Sequence, residues 1–398
     1  MTKESQDIVT RVQRTIGESP AALHEPDLSE YEVELAVDCI RSSFISTVSP
    51  YVNRFEATLA ATLGSPNVLA TNSGTSALQL ALLVLGVRPG DEVLCTALSF
   101  AASANAIAYC GATPHFVDVE DETFGMCPDA LKASLASMHV SQDGTLTNPT
   151  TGATVRAVLV VHIFGQPCQI DALQALAGSY GLLLIEDAAE ALGSQVDGRS
   201  AGTIGAIGCL SFNGNKIATT GAGGALVTNN SSFAEQARHL ASLAKAPHLW
   251  HYRHTEVGFN YRMPGLNAAV GCAQLERLDA FLAQKRALHL AYSESFQDCE
   301  YGKLHGEASG TSSNFWLNTL VLDGSISAQL DTILQDLHNS GLGARPVWQL
   351  LSNLPQFARA PRGDLSTAVD LSRRIVNLPS GMGLSARLST RNDPLADS

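Results

Sequence analysis

The sequence predicts an α/β protein, with a largely parallel sheet between helices and a smaller C-terminal α/β unit. Three observations predict it. From about residue 60 to about residue 230, short apolar runs alternate with helical patterns, as βαβ units require. The runs are rich in Val, Leu and Ile, as strands covered on both faces are. The chain has 398 residues, 45% hydrophobic and only 16% charged, more than one simple core would bury.

Taken in order, the expected strands are Val68–Thr71, Val93–Ala97, His115–Val119, Ala157–Val161, Leu182–Glu186, Cys209–Phe212 and Ala225–Thr228. Helices are expected between several of them, at Thr75–Leu85, Ala101–Cys110, Pro128–Ser137 and Ile170–Tyr180. Ahead of the sheet, Ile8, Val9, Val12 and Ile16 mark a short amphipathic helix packed on the body. The polar residues 139–155, with Gly and Pro, read as a long loop or hairpin. A long helical pattern runs from Pro264 through Arg286, and a mixed α/β segment follows from about 310 to 380. The last dozen residues read as frayed. The expected division is an N-terminal extension at 1–22, a large domain at 23–263, and a long helix with a small domain at 264–398.

Composition excludes several classes. A net charge of −13 is wrong for a nucleic-acid backbone, though a few local cations and N–H groups can still hold a phosphate. No apolar run approaches the roughly 20 residues that cross a bilayer. The charged N-terminus lacks the apolar stretch of a secretory signal, so a cytoplasmic location is expected. The eight cysteines form no C-x-x-C pair and read as free thiols. His248, His251 and His254, spaced by three, would share a helical face, yet nothing completes a tetrahedral set, so no metal is expected.

Parallel sheets collect ligands at the carboxyl ends of their strands, and three segments there carry chemistry. The first is Asn72-Ser73-Gly74-Thr75-Ser76, between a strand and the apolar helix that follows. Gly74 allows a tight turn, while Thr75 and Ser76 place hydroxyls beside the unpaired N–H groups of a helix start, a cradle for phosphate. An ordinary helix cap is the bland alternative. The second is Glu186-Asp187-Ala188-Ala189-Glu190. Asp187 at a strand end can pair with the protonated nitrogen of a pyridine ring, and two alanines let a flat ring approach. Alone, Asp187 could equally cap a helix or bind a metal. The third is Ser211-Phe212-Asn213-Gly214-Asn215-Lys216, a lysine in an otherwise uncharged loop before a glycine-rich return. Desolvation favours the neutral amine that imine chemistry needs. A solvated surface lysine is the commoner fate of that residue type.

Together, NSGTSAL, EDAAE, LSFNGNK and GFNYRMPGLNAAVGCAQLE closely resemble the fold-type I pyridoxal-phosphate enzymes, and among them the DegT/DnrJ/StrS nucleotide-sugar aminotransferases. The resemblance spans Leu23 to about Ser380. It implies that Gly74, Thr75 and Ser211 hold the cofactor phosphate and that Phe100 stacks on the ring. Asp187 pairs with the ring nitrogen and Lys216 forms the Schiff base. Asn260 reaches the phosphate of a partner subunit, which implies a homodimer with shared sites. Glu190 stands where the family often has His or Gln, beside the cofactor. Ser49 stands where its N-terminal turn usually has glycine.

A narrower resemblance rests on HEP near the start, the polar insert, EDAAE, LSFNGNK, the Lys245–Trp250 segment and Ala344-Arg345-Pro346-Val347-Trp348. These features are similar to the legionaminic-acid-pathway branch. They imply glutamate as amino donor and a UDP-linked 4-keto-6-deoxy-N-acetylhexosamine as acceptor. Two rivals are a same-family sugar dehydratase, which has histidine where this chain keeps Lys216, and a non-catalytic cofactor- or sugar-binding regulator. His162, Trp316 and Trp348 read as scaffold and core, with Trp348 a weaker candidate for substrate contact.

Overall fold

The computed structural model describes residues 1–389. Its centre is a seven-stranded sheet of β1 (Asn67–Thr71), β2 (Glu92–Thr96), β3 (Thr113–Val117), β4 (Val155–Val161), β5 (Leu183–Asp187), β6 (Ile207–Ser211) and β7 (Gly224–Thr228). The order across it is β1-β7-β6-β5-β4-β2-β3. β7 runs antiparallel to both neighbours, and the remaining pairs are parallel. All seven strands lie within a residue or two of their expected places. β2 and β7 are buried along their whole length. The first seven helices are α1 (Lys3–Ile16), α2 (Glu30–Arg41), α3 (Pro50–Leu63), α4 (Gly74–Val84), α5 (Ala101–Tyr109), α6 (Pro128–Ala136) and α7 (Ile170–Ser179), and α4, α5 and α7 are among those that cover the sheet. Helix α4 is apolar nearly all round because it is sandwiched, not amphipathic.

A second sheet of four antiparallel strands, Gly302–Leu304, Asn318–Leu322, Ile375–Leu378 and Arg345–Pro346, builds its own core with the N-terminal helix Lys3–Ile16. That helix is longer than the expected stretch. Thr2 caps it through Ser5 N–H, and Ile8, Val9, Val12 and Ile16 all point inward.

Three expectations are corrected. The long pattern after Pro264 is two helices, Gly265–Glu276 and Leu278–Phe296, rather than one ending at Arg286. Between them Arg277 leaves helical geometry (φ −98°, ψ 0°), and its guanidinium is held by Asp27 and Glu32. The histidines at 248, 251 and 254 share no helical face. They lie on a hairpin whose strands are Lys245–Ala246 and Arg253–His254. Ser49 needs no glycine, since its backbone is extended (φ −61°, ψ 140°) and its hydroxyl caps the helix Pro50–Leu63. The polar insert forms a hairpin of His139–Val140 with Leu146–Thr147. Asn148 and Thr151 anchor its far side on the buried Glu92. The expected fraying of the C-terminus falls mostly on 390–398, outside the described residues.

Candidate active site

At the carboxyl ends of β5 and β6 lies a cavity of about 340 Å³. Seven of the eight expected site residues line it: Gly74, Thr75, Phe100, Asp187, Glu190, Ser211 and Lys216. Asn260 does not. It is exposed on the loop beside β1, where its carbonyl accepts from the Asn72 side chain at 3.3 Å.

One end of the cavity is the start of α4. Ser73 caps this helix by accepting from Ser76 N–H at 3.1 Å. A Cβ on Gly74 would come within 3.0 Å of Ser211 Cβ and 3.2 Å of the Leu210 carbonyl oxygen. With glycine at 74 the helix start and the end of β6 meet closely, and a larger residue would press them apart by a few tenths of an ångström. A Cβ on Gly224 would lie 2.4 Å from the Ser73 carbonyl carbon, so β7 crowds the turn from below. The result is a small basin of helix N-terminus, hydroxyls and backbone, of the kind that receives a phosphate.

At the floor, Asp187 is 4% exposed. Its Oδ2 accepts from Ser103 Oγ at 2.6 Å and its Oδ1 from Ala189 N–H at 3.2 Å. Burial pushes its carboxyl up, and those two donors only partly pull it back. A buried carboxylate with no cation bonded to it fits a protonated ring nitrogen. Ser103 carried no signal in the sequence beyond a second serine, Ser99, one helical turn before it.

Glu186, on the opposite side of the strand, is fully buried. Burial pushes its carboxyl up, but the His162 ring and the N–H groups of Gly205 and Gly202 hold it below the ordinary range. His162 Nδ1 accepts from Cys168 N–H at 3.1 Å, which leaves its proton on Nε2, 2.9 Å from Glu186. This pair ties β5 to the turn after β4 and is scaffold.

Lys216 enters from the loop after β6. Its Nζ lies 3.3 Å from Glu190 Oε1 and 4.0 Å above the centre of the Trp316 indole. Glu190 also accepts from Phe164 N–H at 2.8 Å, which supports a turn where Phe164 has φ 56°. Burial pushes the Glu190 carboxyl up, and the Lys216 charge and the Phe164 N–H draw it only partly back. Aromatic rings form the mouth: Trp348 packs against Phe164 at 5.1 Å and edge-on to Phe100 at 6.0 Å. Trp316 and Trp348 thus line the cavity as well as packing the core.

A phosphate cradle, a buried carboxylate and a lysine around one slot are the donor set for a phosphorylated pyridine aldehyde. Comparison with known proteins agrees. Residues 26–390 match the DegT/DnrJ/EryC1/StrS aminotransferase family. EpsN of Bacillus subtilis (strain 168) is 38% identical over 366 residues, covering 91% of each chain. A GDP-perosamine synthase of Caulobacter vibrioides is 36% identical over 361 residues, covering 90% of this chain and 92% of its own. The aminotransferase TlmJ of Streptoalloteichus hindustanus superposes with a TM-score of 0.82 at 28% identity, over 94% of this chain and 100% of its own. The fold is that of the fold-type I enzymes, and the cofactor is pyridoxal 5′-phosphate. This chain belongs to the DegT/DnrJ/EryC1/StrS family and is a pyridoxal-phosphate-dependent sugar aminotransferase.

Proposed function

We propose that the chain moves an amino group from glutamate to the C4 ketone of a UDP-linked 4-keto-6-deoxy-N-acetylhexosamine. The product is an amino sugar for surface polysaccharide or glycan, made in the cytoplasm by a homodimer. The observation that carries the aminotransferase chemistry is the convergence of Lys216, Asp187 and the Gly74 cradle on one cavity. The narrower substrate rests on the HEP, polar-insert, EDAAE, LSFNGNK, Lys245–Trp250 and ARPVW segments.

When bound, pyridoxal phosphate supplies an electron-accepting ring that stabilises charge on the substrate carbon. The residues of the chain do the rest. Gly74, Thr75 and Ser211 hold the phosphate end. Asp187 keeps a proton on the ring nitrogen, with Ser103 fixing the carboxylate's direction. Phe100 covers one face, and Glu190 stays beside Lys216. Lys216 Nζ carries the cofactor at rest and, once released, moves the proton on and off the substrate carbon.

The shared-site dimer has two supports. Asn260 lies outside its own chain's cavity, and it does not cap the next helix, which begins after Pro264 with no side-chain cap. Exposed apolar side chains also mark segments connected to it: Trp250, Tyr252 and Val257 on the hairpin and loop just before Asn260, and Phe44, Ile45 and Val48 on the segment whose Ser46 carbonyl accepts from Gly265 N–H, a surface suited to a second copy. We also retain the division into 1–22, 23–263 and 264–398 as a proposal.

A GDP-linked sugar is the second reading, favoured by the likeness to GDP-perosamine synthases at 34–36% identity. Mass spectrometry of products from UDP- and GDP-linked 4-keto sugars with glutamate decides between them. Amination of only the GDP-linked members would end the UDP assignment and leave the aminotransferase standing.

A further inference from the structure

Trp316 lies 101 residues beyond Asn215, at the entry to the second sheet, yet its polar atoms are tied down around the reacting lysine. Its indole N–H donates to the Asn215 carbonyl at 2.7 Å, the residue next to Lys216. Its backbone N–H donates to Asn314 Oδ1 at 2.8 Å, and its carbonyl accepts from Lys285 Nζ at 2.7 Å. Lys285 is 1% exposed and also donates to the Ser380 carbonyl, so it bolts Trp316 to the helix Leu278–Phe296 and to the second sheet. Any buried residue needs partners for its backbone N–H and carbonyl, and here those partners set the backbone while the indole N–H bond sets the ring. What they fix is the indole face, 4.0 Å below Lys216 Nζ, with Glu190 Oε1 3.3 Å from the same nitrogen. An aromatic face attracts a cation through its quadrupole, and tryptophan does so best.

We propose that Trp316 is a positioning residue: its face, with the Glu190 carboxylate, is the seat Lys216 occupies as an ammonium when an amino acid displaces it. The proposal rests on Lys216 being the lysine that carries the cofactor. In the displacement, the donor's nitrogen forms the double bond to the cofactor's aldehyde carbon, and the bond from that carbon to Lys216 Nζ breaks. All three hydrogens of the donor's ammonium end on Nζ and carry its positive charge with them, so charge and atoms balance and nothing is oxidised. The seat stabilises the product side of this exchange, and in turnover Nζ passes one proton on, with Glu190 Oε1 in reach, before it takes the proton from the substrate carbon. A weaker seat pulls the exchange back.

The test is an equilibrium titration of the holoenzyme, followed by absorbance, with α-methyl amino acids. These displace the lysine but have no Cα proton to lose, so turnover plays no part. The α-methyl forms of glutamate, glutamine, aspartate and alanine are tried, and the comparison uses whichever the wild type takes. Borohydride reduction beforehand maps the lysine. Mass on a lysine other than Lys216 would overturn the underlying reading and the seat with it. With Lys216 labelled, Trp316→Leu is expected to weaken displacement about tenfold and Trp316→Phe, which keeps a ring face, by less. The matching carboxylic acid without an amine should bind both variants as it binds the wild type. Displacement within twofold of wild type in both variants, or an equal weakening of the amine-free acid, overturns the seat. Should the leucine variant fail to fold, trifluorinated tryptophan at 316 keeps the shape and depletes the face. Unchanged displacement there overturns the proposal equally.

Discussion

Ser103 Oγ donates to Asp187 Oδ2 at 2.6 Å, and Ser99 Oγ, on the turn before the helix that carries Ser103, stands 3.1 Å from Ser103 Oγ. The carboxylate at the floor of the cavity is thus aimed by a helix that begins just after Phe100. Phe100, which lines the cavity, and Ser103, which bonds the acid, thus sit at the start of one short element.

Asp187→Asn should keep the cofactor and lose turnover on the order of a hundredfold. The amide keeps the shape of the site but cannot balance a positive ring nitrogen. Steady-state rate beside cofactor occupancy is the measurement, and near wild-type activity at full occupancy would refute the role.

Ser103→Ala should lower kcat by about tenfold, as loss of a hydrogen bond to a charged group does. The loss removes a donor that favours the carboxylate, so burial pushes the Asp187 carboxyl further up. Cofactor affinity should change little, because the phosphate contacts lie elsewhere. A large fall in affinity with kcat intact would contradict this.

Lys216 should be the residue labelled when borohydride reduces the yellow holoenzyme, with phosphopyridoxyl mass on one peptide. Mass on any other lysine would falsify the assignment.

Gly74→Ala should leave a folded apoenzyme with cofactor affinity reduced about tenfold or more. The added methyl meets Ser211 Cβ at 3.0 Å and the Leu210 carbonyl at 3.2 Å, so the cradle must shift by a few tenths of an ångström. Equilibrium binding of pyridoxal phosphate measures it, and unchanged affinity would show the cradle tolerates that shift.

Mixing Lys216→Ala with Asn260→Ala should restore activity if Asn260 serves the neighbouring chain. Each heterodimer then has one site with both defects and one with none. Random pairing allows up to about a quarter of wild-type activity. If Asn260 serves its own chain, every site carries a defect and none returns.

Much of the site was legible in the sequence because its residues follow strands. Gly74, Asp187, Ser211 and Lys216 each sit at or just past a short apolar run, and a parallel sheet gathers such positions at one edge. Their order and local chemistry therefore stood in for geometry. Local signals are all the chain displays along its length, and what depended on distant packing stayed hidden. Ser103 looks like any serine in a small-residue helix until β5 is placed beside it. Trp316 reads as core, and only the second sheet and Lys285 turn its face toward Lys216. The break at Arg277 depends on Asp27 and Glu32, some 250 residues earlier, so no helical pattern could announce it. The sequence alone pointed to groups that gather at one cavity, because each is set by its own short stretch of chain. The tertiary structure decided how those groups are aimed, because aiming is done by neighbours that only folding brings near.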